Sequence, residues 1–141
     1  MKRKASAVWQ GDLKTGKGSI STESGTLKQT QYSFSTRFEN GVGTNPEELI
    51  AAAHAGCFSM AFSSELGKAG FKPDSIATTA TVTLEMLPTG PTVTESHLEM
   101  TAKIPGIDLE KFIAIANGAK AGCPISRLFN AKISLGAKLE A

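Results

Sequence analysis

Apolar and polar residues alternate over two long stretches of the chain. Ile76, Ala80, Val82, Leu84 and Met86 stand against Thr79, Thr81, Thr83 and Glu85, and Leu98, Met100, Ala102 and Ile104 stand against His97, Glu99, Thr101 and Lys103. A period of two marks half-buried strands. With Pro88-Thr89-Gly90-Pro91 between them, the two stretches predict a β hairpin over residues 75–104. Before residue 40 the apolar runs are shorter. Ala5–Gln10, Ser19–Thr22 and Tyr32–Phe38 read as strands separated by turns at Gly11-Asp12 and Ser24-Gly25, and the loop Glu39-Asn40-Gly41-Val42-Gly43 follows, so an antiparallel meander is expected over about 4–40. Thr15-Gly16-Lys17-Gly18-Ser19 lacks the full phosphate-loop spacing and reads as a hairpin turn.

Between these β regions the signals are helical. Asn45 is a good N-cap, Pro46 suits the first helical position, and Glu48 at the third closes a variant of the capping box, so a central helix is predicted over 46–69. Ala and Gly line its first half, which allows another helix or backbone to approach closely, and burial over most of its circumference is expected. Asp108 caps a helix over 108–121 with Leu109, Phe112, Ile113 and Ala116 on one face, and Cys123-Pro124 opens another over 124–130. Ile133, Leu135, Ala137 and Leu139 predict a last strand over 131–140. The order βββ-α-ββ-αα-β is an α+β pattern in one domain over 1–141, without repeats or linkers.

Composition narrows the function. The chain has 141 residues, 40% of them hydrophobic, enough for one core. The net charge is +2, with fifteen Lys and Arg scattered among thirteen Asp and Glu, so there is no basic stripe for nucleic acid. No apolar h-region follows Met1-Lys2-Arg3-Lys4, and no apolar run approaches the ~18–20 residues of a membrane span. A cytoplasmic protein is expected, in a compartment where a cysteine pair is more often catalytic or redox-sensing than structural. Two cysteines, no CxxC and two histidines argue against a structural zinc site.

Cys57 lies in the middle of the central helix, and Cys123 is the only other cysteine. Free cysteines often pack as small inert hydrophobes; the alternative is thiol redox chemistry. A reactive Cys57 needs a thiolate, and mid-helix its own helix terminus does not help. The best cation is Arg37, the only arginine between Arg3 and Arg127, although a solvated arginine at a strand end explains it equally well. Glu47 already has a role as a helix-dipole carboxylate. It stands ten residues before Cys57, about 15 Å along a helix, so it could serve the same site only across a dimer interface. His54, three residues before Cys57, reads as a satisfied, partly buried histidine, because side chains at that spacing run alongside each other. Cys123, just before Pro124, takes an N-cap-like position where backbone N–H groups could favour its thiolate.

Gly43-Thr44-Asn45-Pro46-Glu47-Glu48-Leu49-Ile50-Ala51-Ala52-Ala53-His54-Ala55-Gly56-Cys57-Phe58-Ser59-Met60-Ala61 and Ala119-Lys120-Ala121-Gly122-Cys123-Pro124-Ile125-Ser126 resemble the osmotically inducible protein C (OsmC) family, relatives of the organic hydroperoxide resistance proteins. His54 and the context of Arg37 resemble the OsmC branch more closely. The resemblance implies an OsmC-like fold, with antiparallel sheets wrapped around long central helices in an intertwined homodimer. It also implies a cysteine peroxidase for organic hydroperoxides that needs no cofactor beyond an external dithiol, with a lipoylated protein among the candidate reductants. By motif position Cys57 would be the peroxidatic thiol, Cys123 the resolving one, Arg37 the thiolate-stabilising arginine and Glu47 its partner. Phe58, Met60, Phe62 and Leu66 could wall the pocket or simply fill the core. The alternative is a non-catalytic thiol redox sensor or small-molecule binding protein on the same fold.

Overall fold

In the computed structural model, strands β1 (Ala5–Gln10), β2 (Lys17–Thr22) and β3 (Thr30–Tyr32) form an antiparallel sheet in the order β1-β2-β3. The structure describes residues 1–128 and Ser134. Gly18 sets the register: it pairs with Trp9 on one side and Tyr32 on the other, so the two rings meet above it at 5.4 Å between centroids. A Cβ at Gly18 would come within 2.7 Å of the Trp9 ring, so the position needs glycine. The turn before β2 closes through the Gly16 N–H to the Asp12 carbonyl and through Asp12 Oδ1, which accepts from the Thr15 N–H and hydroxyl.

The strand expected over 32–38 ends at Tyr32, and α1 (Phe34–Phe38) takes its place. The reason is a reciprocal cap: the Thr36 N–H donates to Ser33 Oγ (3.2 Å) and the Ser33 N–H donates to Thr36 Oγ1 (2.8 Å). The long helix α2 (Pro46–Lys68) starts where its capping residues place it, with the Glu48 N–H donating to Asn45 Oδ1 (2.8 Å). The Glu48 carboxylate does not return to the Asn45 N–H as a capping box requires; it accepts from the Thr44 hydroxyl (2.8 Å). Strands β4 (Ser75–Leu87) and β5 (Gly90–Lys103) form a two-stranded antiparallel hairpin, followed by α3 (Leu109–Gly122) and α4 (Pro124–Arg127). An α+β chain with antiparallel sheets and one long helix was the expected class. The predicted end of the last helix at 129–130 and the strand over 131–140 lie outside the described residues.

The chain gathers into two compact units: Met1–Ala52 with Thr81–His97, and Ala53–Ala80 with the described residues from Leu98 onward. The core of the second is Phe58, Phe62, Leu66, Ala119 and Cys123, with Phe112, Ile115 and Ala116 packed against it. Two expectations fail here. On α2 only one stripe, His54, Phe58, Phe62 and Leu66, is buried, instead of most of the circumference. Ala53, Gly56, Met60, Ser63 and Gly67 are exposed on this chain, because Ala and Gly present too little apolar surface to draw a neighbour from within it. On α3 the inward stripe is Phe112, Ile115, Ala116 and Ala119, whereas Leu109 and Ile113 of the predicted face are 71% and 50% exposed.

By length and composition α2 is, among the described residues, a helix apolar enough to cross a membrane, which the sequence reading did not anticipate. Its alanines raise hydropathy while adding little apolar area. Phe58, Phe62 and Leu66 are spent on the core of the second unit.

Candidate functional site

In the first unit, α1 presents Arg37 in its last turn, where the helix dipole favours a cation. Arg37 therefore sits on a helix and not at a strand end. The Arg37 Nε–H donates to both Glu47 oxygens (3.1 and 3.2 Å) and Nη2 donates to Oε1 (2.7 Å), a two-pronged pair that suits the planar guanidinium. The loop between them is pinned on both sides. Asn45 Nδ2 donates to the Thr36 carbonyl (3.0 Å), and the Thr44 N–H donates to the Gln31 carbonyl (2.9 Å). Asn45 thus caps α2 and ties α1 to it. The Glu47 side chain is 11% exposed and that of Arg37 38%, so the carboxylate is held from beneath while the cation keeps an open face. The Phe38 ring lies 5.5 Å below the guanidinium carbon.

In the second unit, Pro124 cannot donate a backbone hydrogen bond and drives Cys123 out of helical geometry (φ −58°, ψ 130°), which breaks the chain between α3 and α4. The break turns the fully buried Cys123 sulfur toward Cys57, on the edge of the α2 stripe, and the Sγ atoms stand 2.9 Å apart. Both are free thiols. Closing a disulfide bond of about 2.05 Å would need a movement of about 0.9 Å.

The two thiols share their protons unequally. Burial pushes the Cys57 thiol up, and its hydrogen bond with Cys123 pushes it further. Cys123 also feels burial, but its bond with Cys57, the Ser126 N–H and hydroxyl, and the Ile125 N–H outweigh it and bring it down. No full cap hydrogen bond closes on the Cys123 sulfur, yet these groups face it closely enough to favour the thiolate. The groups acting on Cys57 include no cation among the described residues.

His54 is 5% exposed and does not pair with Cys57 as an activating base. Its Nε2 is 2.8 Å from Ser126 Oγ, and burial holds its pKa below the ordinary value. The sequence reading assigned Ser126 no role; the signal was its place three residues after an N-cap cysteine. Of the proposed pocket walls, Phe58, Phe62 and Leu66 fill the core and Met60 points outward, 78% exposed. A groove of about 310 Å³ is lined by Ala102, Ile104, Ile107, Asp108, Leu109 and Phe112, and neither cysteine borders it. Among the described residues no group of His, Cys, Asp or Glu could hold a metal ion. The four candidates therefore form two pairs, Arg37 with Glu47 and Cys57 with Cys123.

The chain matches the family profile described as OsmC-like protein over residues 38–138. It is 53% identical to the peroxiredoxin OsmC of Escherichia coli (strain K12) over 138 residues, 98% of this chain and 96% of that one. Among solved structures it resembles an organic hydroperoxide resistance protein OsmC from Legionella pneumophila (TM-score 0.64, 24% identity, 89% of this chain and 88% of that one). It also resembles the organic hydroperoxide resistance protein OhrB of Bacillus subtilis (TM-score 0.63, 23% identity, 88% of each chain). At these identities the structural likeness speaks for the fold alone.

Proposed function

The chain belongs to the OsmC family and is a cysteine-based peroxidase, and we propose that it reduces organic hydroperoxides to alcohols through a Cys57 sulfenic acid and a Cys57–Cys123 disulfide. The observation that carries this reading is the 2.9 Å between the two sulfurs. Thiolate Cys57 attacks the terminal oxygen of ROOH; the S–O bond forms, the O–O bond breaks, and the alkoxide takes a proton and leaves as ROH. Cys123 then displaces the sulfenic oxygen as water, closing the disulfide, and an external dithiol reopens it by exchange. The enzyme works in the cytoplasm in oxidative and osmotic stress defence and needs no cofactor beyond that reductant.

Cys57 requires a cation that lowers its pKa and meets the charge developing on the leaving alkoxide. Arg37, oriented by Glu47, is our candidate. Ten residues of α2, about 15 Å of rise, separate Glu47 from Cys57, so the pair serving each thiol is that of a second copy in a homodimer. The exposed stripe Ala53, Gly56, Met60, Ser63 and Gly67 supports the same assembly, since a Cβ at Gly56 or Gly67 would meet nothing within 4 Å among the described residues.

Consumption of cumene hydroperoxide with dithiothreitol or dihydrolipoamide tests the reading. Cys57→Ser should lose turnover by at least about a thousandfold, to the level of free thiol. Cys123→Ser should complete one turnover and then over-oxidise at Cys57. Equal trace consumption by all three proteins would favour the rival, a non-catalytic thiol sensor on the same fold. Sedimentation of the native protein as a monomer at micromolar concentration would remove the cross-subunit role of Arg37.

A further inference from the structure

We infer that His54 and Ser126 are positioning residues for disulfide closure, a hydrogen-bonded tether that sets Cys123 against Cys57 and so raises the effective concentration of one sulfur at the other. The inference rests on the Cys57–Cys123 disulfide proposed above. His54 and Cys57 stand three residues apart on α2, about 4.5 Å of rise, and Cys123 and Ser126 stand three residues apart across the start of α4. His54 Nε2 is 2.8 Å from Ser126 Oγ, and Cys57 Sγ is 2.9 Å from Cys123 Sγ. The same two segments are therefore joined twice, one turn apart, in opposite chain directions. One contact is a pivot; a second stops the segment from turning about it. The bond holds whichever of its two groups donates.

Helix α4 does not hold its own place. It is four residues long, too short to be stable alone, and Cys123 at its start makes no side-chain cap hydrogen bond. Ile125 packs against the core, but an apolar contact is non-directional and leaves the place of the segment along α2 open. The His54–Ser126 bond removes that freedom, and with His54 5% exposed water competes little for it. In the step it serves, the Cys123 thiol and the Cys57 sulfenic acid give the S–S bond and one water. The S–O bond breaks with its pair on oxygen, which leaves with the sulfenic and thiol hydrogens; Cys123 is oxidised and the Cys57 sulfur is reduced to the disulfide level. His54 and Ser126 exchange no proton with either sulfur. Closing the gap takes about 0.9 Å, which rotation about the cysteine Cα–Cβ bonds supplies, so tether and disulfide coexist and each favours the other.

Equilibration of the full chain in glutathione buffers, with acid quench, alkylation and thiol counting by mass, reads the effective concentration without any hydroperoxide. Ser126→Ala should shift the equilibrium about tenfold toward the dithiol, about 30 mV in potential, and His54→Asn, whose side chain is too short to reach Ser126, should match it. Thr78→Val is the control: it removes the 2.7 Å bond between Thr78 Oγ1 and Ser59 Oγ on the same helix and should leave the equilibrium within about twofold of wild type. An equilibrium within about twofold of wild type in Ser126→Ala or in folded His54→Asn, or a shift in Thr78→Val equal to that in Ser126→Ala, overturns the inference while the peroxidase reading stands. A wild-type chain that forms no Cys57–Cys123 disulfide overturns both. If His54→Asn does not fold, Ser126→Ala and Thr78→Val decide between them.

Discussion

Arg37 and Glu47 meet near the surface, where a guanidinium edge satisfies a carboxylate and water reaches the cation, whereas Cys57 and Cys123 meet in a core of phenylalanine and alanine. The first pair has charge and no reacting atom. The second has two reacting atoms and, among the described residues, no cation acting on them. Proximity of sulfurs and ionisation of sulfur make opposite demands: an apolar wall holds thiols close, and the same wall raises the cost of a thiolate. In the proposed mechanism the work is divided between two regions, so that each meets one demand. Damage to the apolar wall around the sulfurs should therefore appear as lost stability, and damage to the charged region as lost rate.

The largest effect is expected from Phe62→Ala. Phe62 is fully buried, stacked on Phe58 at 6.0 Å and set edge-on against Phe112 at 5.8 Å. Its loss should cost about 3–5 kcal/mol in urea unfolding. A cost near 1 kcal/mol would mean that the wall beside the sulfurs collapses easily and does not hold them in place.

Arg37→Met should do the reverse. The rate of Cys57 oxidation by hydroperoxide should fall about a hundredfold, on the order of 2.7 kcal/mol in the barrier, while stability changes by less than about 1 kcal/mol because the pair is partly solvated. Stopped-flow oxidation alongside urea unfolding reads both quantities. A stability loss with an unchanged oxidation rate would return Arg37 to a structural role and erase the contrast.

The sequence disclosed these regions unevenly. The start of α2 was readable because Asn45 and Pro46 act on backbone groups within one turn of themselves. Helix α1 was not, since Tyr32, Phe34, Thr36 and Phe38 fit a period of two, and five residues are too few to display a period of 3.6. Its one local sign was the Ser33–Thr36 exchange of hydrogen bonds. Leu109 and Ile113 were misassigned because an apolar stripe gives the helix face but not which edge of it meets the core. The Arg37–Glu47 contact depends on a pinned loop and the sulfur contact joins residues 66 apart, so neither has a signature in local spacing; the residues alone offered Arg37 as a cation for Cys57, and the family resemblance gave each of the four its role.

The missed cap offers a smaller test of how α1 supports the charged region. Ser33→Ala removes one half of the reciprocal cap and should cost about 1 kcal/mol. Because Arg37 rides on that helix, oxidation of Cys57 should slow by about threefold, less than for Arg37→Met. Full retention of rate with the stability loss would show that Glu47 alone holds the guanidinium in place.

The smallest effect belongs to His54 and is seen only as a slope. Burial holds its folded-state pKa below the ordinary 6.5, so as pH falls through that value the unfolded chain takes up a proton that the folded chain still refuses. The contribution of the neutral imidazole to stability is therefore complete above about pH 6.5 and declines below it until the folded-state pKa is reached. Urea midpoints between pH 5 and 8 should fall more steeply on the acid side for the wild type than for His54→Gln. Equal slopes would mean that His54 is protonated in the fold as readily as out of it. The sulfur region would then be wetter than its packing indicates, and the opposition between a dry thiol pair and a solvated ion pair would weaken accordingly.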